Sequence, residues 1–99
     1  IGMFAAFNAN AEEADAASVN VTIKVGTWNT GGQNISSMAI GMVPASSGYT
    51  GWQNGSSRTF KAPSGRTAQV TAVVQCGWFK QYRIVKTVWI NSWDQTIWI

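Results

Sequence analysis

Residues 67–79, Thr-Ala-Gln-Val-Thr-Ala-Val-Val-Gln-Cys-Gly-Trp-Phe, decide the fold. Ala68, Val70, Ala72, Val74, Cys76 and Trp78 share one side of a period-2 repeat. Thr67, Gln69, Thr71 and Gln75 take the other, with Val73 the only exception. Successive side chains of an extended chain point to opposite faces, so this pattern predicts a strand with one face in a core and one in water. On this reading Trp78 continues the inward row, and Cys76 behaves as a small, inert hydrophobe.

The same period recurs on both sides of that stretch. In 19–25 (Val-Asn-Val-Thr-Ile-Lys-Val), Val19, Val21, Ile23 and Val25 alternate with Asn20, Thr22 and Lys24. In 35–43, Met38, Ile40 and Met42 oppose Ser37, Ala39 and Gly41, and Pro44 stops the run. Residues 57–62 predict a short strand with Phe60 inward, 82–90 a β-branched strand, and 95–99 a last strand. Between them lie turn signals: 29–34, a long loop 44–56 containing Asn54-Gly55, Ala62-Pro63-Ser64-Gly65-Arg66, and Asn91-Ser92-Trp93-Asp94. Six short strands predict an all-β domain. The expected form is a small antiparallel β-sandwich, immunoglobulin-like or lipid-binding-like, with a small barrel as the alternative.

The first eleven residues, with apolar Ile1-Gly-Met-Phe-Ala-Ala-Phe7 before Asn8-Ala9-Asn10-Ala11, read as a signal-peptide remnant. Residues 12–18 read as a flexible arm, and 19–99 as a single β domain, with its C-terminal strand a possible truncation point. The expected location is secreted or periplasmic. One cysteine cannot form an internal disulfide, so Cys76 is expected to be buried or paired between chains. No stretch reaches the roughly 20 apolar residues of a membrane-spanning helix.

Charge and chemistry are uneven. After residue 16 the chain holds seven Lys and Arg against Asp94 alone, a balance of +6. It has no His anywhere. General acid–base, nucleophilic and metal chemistry need sets of titratable or ligating groups, so no catalytic residue, metal site or cofactor is expected. A cationic domain favours anionic partners. Lys80, Arg83 and Lys86 step by three and so divide between two strand faces. That spacing, together with the secretory reading, disfavours nucleic acid. Asn20-Val-Thr22, Asn34-Ile-Ser36 and Asn54-Gly-Ser56 match the glycosylation acceptor pattern.

The aromatic residues carry the functional signal. Trp78, Trp89 and Trp98 are expected to pack in or across strands. Tyr49, Trp52 and Trp93 fall in predicted loops. If loops alternate between the two ends of an antiparallel sandwich, the 44–56 loop and the 79–82 turn share one end. Tyr49, Trp52, Phe79, Lys80, Tyr82 and Arg83 then form the expected ligand surface. The other end collects a second candidate surface of Trp28, Arg66 and Trp93, with Asp94 beside it. Rings beside cations suit an anionic lipid headgroup region or a glycan.

The short alternating strands, the Ala62-Pro63-Ser64-Gly65 turn before a long β-run, and the loop aromatics are similar in pattern to small lipid-binding β-sandwiches. The likeness implies no particular site residue. The expected function is a secreted, non-enzymatic module binding a cell-surface glycan or anionic lipid, lectin-like or membrane-active. One alternative is a self-associating subunit pairing through the apolar strand 95–99. Another is a small inhibitor or immunity-type protein with an aromatic hot spot for one protein partner.

Overall fold

A computed structural model describes residues 18–99; the leader reading for 1–11 and the arm reading for 12–18 lie outside the described residues except at Ser18, which is not arm but the first residue of a paired strand, opposite Pro63. The described residues form β1 (Ser18–Lys24), a 3-10 turn (Thr27–Thr30), β2 (Ser37–Val43), β3 (Tyr49–Asn54), β4 (Ser57–Pro63), β5 (Arg66–Cys76), β6 (Lys80–Ile90) and β7 (Gln95–Trp98). They build two packed sheets, ordered β4-β1-β7 and β3-β2-β5-β6, which do not close into a barrel. The all-β sandwich expected from the alternation is the observed fold.

The alternation becomes the core. Val19, Val21, Ile23, Phe60 and Ala62 of the smaller sheet face Met38, Ile40, Met42, Ala68, Val70, Ala72, Val74 and Cys76 of the larger. Apolar area leaving water on both inner faces is the main force holding the layers together. Ile97 and Ile99 add to this core, so the alternation of 95–99 is partly absorbed inside the molecule.

Three expectations need correction. There are seven strands, because Tyr49–Asn54 is a strand where a loop was expected. Only Thr50 in it is even half-buried, and a register shift sets Gly51 and Trp52 opposite Ala39. An exposed, bulged edge strand carries no period-2 pattern to read. Second, the pairing is not wholly antiparallel. The chain leaves β6 and turns through 91–94 beside the start of β1, where Asn20 N donates to Asp94 Oδ1 (2.9 Å). β7 therefore runs parallel to β1, from Val21↔Gln95 to Lys24↔Trp98.

Third, none of Trp78, Trp89 and Trp98 is in the core; all six Trp are exposed. β5 ends at Cys76, and Gly77 takes a left-handed φ of 66°. That turn breaks the parity that aligned Trp78 with Cys76. Trp89 lies on the outer face of β6 opposite Thr67, and Trp98 on the outer face of β7 opposite Lys24.

Candidate functional site

The extra strand changes which loops share an end. At one end, Gly65 N donates to the Ile90 carbonyl and Ser46 N to that of Lys61, close to Ser18. At the other, Val25 N bonds the Ser56 carbonyl, Gly55 N that of Ser36, and Ser36 N that of Gln75, close to Lys24. The 44–48 connection belongs to the Ser18 end, whereas the 77–79 turn belongs to the Lys24 end. β3 adds one reversal of direction, and this moves the aromatic groups apart.

The expected ligand surface therefore divides. Tyr49 opposes Gly41 in the row Tyr49–Gly41–Thr71–Val85, on the outer face of the larger sheet. Trp52 lies in the next row, opposite Ala39, with Val73 and Arg83 beyond. Trp52 and Arg83 are three strand spacings apart, about 14 Å. Phe79 lies beyond Cys76, about 20 Å along the strand from the Tyr49 row. Tyr82 faces inward opposite Val74, half-buried against the core, with Lys80 Nζ 6.0 Å from its ring centroid. The second candidate surface divides too. Arg66 and Trp93 lie at the Ser18 end, while Trp28 follows the Lys24 end of β1.

Two aromatic features emerge. The first is the tip of the β5–β6 hairpin. Each strand has eleven residues against seven in β1 and β4, and the tip borders a hollow together with Gly32, Gln33 and Asn34 of the β1–β2 connection. Its three-residue connection, Gly77-Trp78-Phe79, leaves Trp78 90% and Phe79 93% exposed. The tip is held by its own side chains. Gln75 Nε2 donates to the Gly77 carbonyl (2.9 Å), and Gln81 Nε2 to Gln75 Oε1 (2.9 Å). Lys80 follows directly, opposite Cys76.

The second is a wedge of two indoles. The rings of Trp28 and Trp98 have centroids 6.0 Å apart and planes tilted by 43°. Lys24 Nζ stands 5.6 Å from the Trp98 centroid, a cation–π contact. Trp28, Trp98 and Ile99 border a cleft of about 260 Å³ whose remaining lining is Lys86, Thr87 and Val88 of β6. Lys86 has the inward parity, opposite Val70, yet is exposed. Trp98, Lys24 and Lys86 were not among the expected site residues. Their grouping depends on the parallel β1–β7 pairing and on residues some 70 positions apart meeting in space, as Trp28 and Trp98 do.

Electrostatics are one-sided. Asp94, the single acid of residues 18–99, accepts bonds from the Asn20 backbone N and from Asn20 Nδ2, at the Ser18 end. Cys76 is 4% exposed. Among the described residues no group of His, Cys, Asp and Glu could hold a metal ion, and no helix is long and apolar enough to cross a membrane. The sequon residues Asn20, Asn34 and Asn54 are exposed. The chain matches no protein-family model, no curated protein and no solved structure.

Proposed function

We propose that this protein is a non-enzymatic module that attaches to anionic lipid surfaces through the tip of the β5–β6 hairpin. The observation that carries the reading is the pair Trp78-Phe79, almost wholly exposed on a hydrogen-bonded turn and followed by Lys80. Two adjacent large apolar side chains held in water lose solvation free energy with every ångström they enter a bilayer interface. Burying a Phe-sized side chain is worth about 1.5–3 kcal/mol. Trp is suited to the headgroup level, where its ring is covered and its N–H stays wet. A basic residue near an anionic leaflet adds about 1 kcal/mol. The balance of +6 over residues 18–99 draws the domain toward such a surface, and the one acid lies at the far end.

Co-sedimentation with vesicles tests this directly. Binding is expected to phosphatidylcholine vesicles containing about one-third phosphatidylserine, and to fall steeply with salt. Trp78→Ala and Phe79→Ala should each weaken it about tenfold, corresponding to about 1.4 kcal/mol. Vesicle binding that both substitutions leave intact refutes this role for the hairpin.

A further inference from the structure

We propose that the cleft bordered by the packed indoles of Trp28 and Trp98 is a binding site for a single carboxylated sugar ring, whose carboxylate is taken by Lys86. The site is separate from the hairpin tip, since Lys86 is six residues along β6 from Lys80, about 20 Å, and it stands independently of lipid binding.

Four observations converge on it. Both indoles are exposed, Trp28 at 66% and Trp98 at 58%, yet both are held in place. Trp28 is carried on the 3-10 turn. There Asn29 Nδ2 donates to the carbonyls of Gly26 (2.9 Å) and Ile99 (2.7 Å), and Thr30 Oγ1 donates to those of Thr27 (3.0 Å) and Gln33 (2.7 Å). Its ring folds back over Gly26, so closely that a Cβ on Gly26 would lie 2.1 Å from a ring carbon. Trp98 is fixed by strand pairing to Lys24 and by buried Ile99 next to it. Aromatic groups ordered before a ligand arrives lose little conformational entropy on binding it.

The ring geometry selects the ligand. Planes tilted by 43° cannot clamp a flat base between them. A puckered pyranose presents C–H patches in more than one direction and can rest on both indoles. The cleft of about 260 Å³ lies below the range of drug-sized pockets, which fits one ring rather than a chain of them. The charges select the substituent. Lys24 already engages the Trp98 ring, leaving Lys86 as the cation lining the cleft. The Lys86 ammonium on the lining pairs with a sugar carboxylate, and the Lys24 ammonium beside Trp98 adds to the positive field there.

The test is a titration of ¹⁵N-labelled protein followed through its six indole N–H resonances, assigned by single Trp substitutions. With methyl galacturonide, the Trp28 and Trp98 signals should move together and saturate in about the millimolar range, while those of Trp78 and Trp93 stay in place. Methyl galactoside, the neutral comparator, should bind about fivefold more weakly or worse. Trp98→Ala should weaken uronate binding about tenfold. Lys86→Gln alters an exposed side chain, so it should preserve the thermal midpoint while abolishing the preference for the acidic sugar. The proposal is overturned if the two indoles do not respond to the uronate. Tighter binding of a short single-stranded oligonucleotide at the same pair, or an acid preference that survives Lys86→Gln, overturns it equally.

Discussion

Arg58 on β4 reaches across the sandwich to Met38 on β2: its Nη2 donates to the Met38 carbonyl oxygen at 2.7 Å, from a side chain only 8% exposed. The same nitrogen donates to the Gln53 carbonyl (2.9 Å), and Nη1 to that of Ser57 (2.9 Å). Met38 and Gln53 are the partners beside the β2–β3 register shift. A bulge takes backbone groups out of the ladder, and a buried carbonyl without a donor costs about 1–3 kcal/mol. The guanidinium supplies those donors from the opposing sheet.

Removing it should therefore loosen β3 from the sandwich. Arg58→Met keeps the apolar stem but strips two carbonyls at the shift of their donor, and should lower stability by about 1–2 kcal/mol. Arg58→Ala also loses packing and should cost about 3 kcal/mol. Arg58→Lys should recover little, because one ammonium cannot reproduce the fork. Urea unfolding measures all three. An Arg58→Met variant as stable as the parent would mean that desolvating the guanidinium outweighs its bonds.

Gly26→Ala separates geometry from stability. The backbone there, φ −82° and ψ 153°, suits any residue, so the strain comes only from the Trp28 ring the new methyl would meet. That ring rests on Gly26 outside the core, so a methyl there displaces it without opening the sandwich. The expected result is a loss of less than about 1 kcal/mol in stability, together with loss of the near-ultraviolet circular-dichroism signal of the Trp28–Trp98 pair. A large drop in the thermal midpoint would show instead that the indole is needed to hold the 3-10 turn.

How much of this was legible follows from where side chains are buried. β1, β2, β4 and β5 show themselves because their alternate residues enter one core, as Val19 to Ile23 and Ala68 to Cys76 do. β3 does not, since Trp52 and its neighbours face water and the bulge breaks what period remained. Without β3 in the count, the 44–48 connection falls at the same end as the 77–79 turn and Tyr49 falls beside Phe79; with β3 the two separate. The period puts Trp78 inward only if Gly77 is one more step of a strand, and the left-handed φ of Gly77 ends the count. Arg58 shares the parity of Phe60, and that was a readable sign that it points inward.

Gly77 also offers a test of the hairpin tip. A Cβ at φ 66° meets no neighbouring atom within 4 Å, so Gly77→Ala carries only the backbone penalty of a left-handed residue, about 1–2 kcal/mol. The fold should survive, but the turn should relax toward another conformation and redirect Trp78 and Phe79. Vesicle binding should fall severalfold at temperatures where circular dichroism shows the sheet intact. Unchanged binding would mean that the direction of the two rings is immaterial.

Cys76 should be inert in the folded protein. It is 4% exposed in the inward row between Val74 and the Gly77 turn. Reaction with an aromatic disulfide reagent requires the sulfur to reach solvent as thiolate. Modification should be slow in buffer and complete within minutes in concentrated urea. Rapid labelling without denaturant would show that the hairpin opens locally, with direct consequences for how firmly Trp78 and Phe79 are presented.

The outer face of the larger sheet gives the sharpest contrast with the tip. Trp52 is about half exposed there, on an edge strand, with Ala39 and Val73 between it and Arg83. If lipid attachment depends on the tip, Trp52→Ala should leave vesicle binding within about twofold of the parent while Trp78→Ala lowers it about tenfold. Both proteins should unfold at nearly the same urea concentration, since neither ring is in the core. The reverse ranking, with Trp52→Ala the more damaging, would transfer the lipid-binding role from the hairpin end to the flat face that Tyr49, Trp52 and Trp89 share.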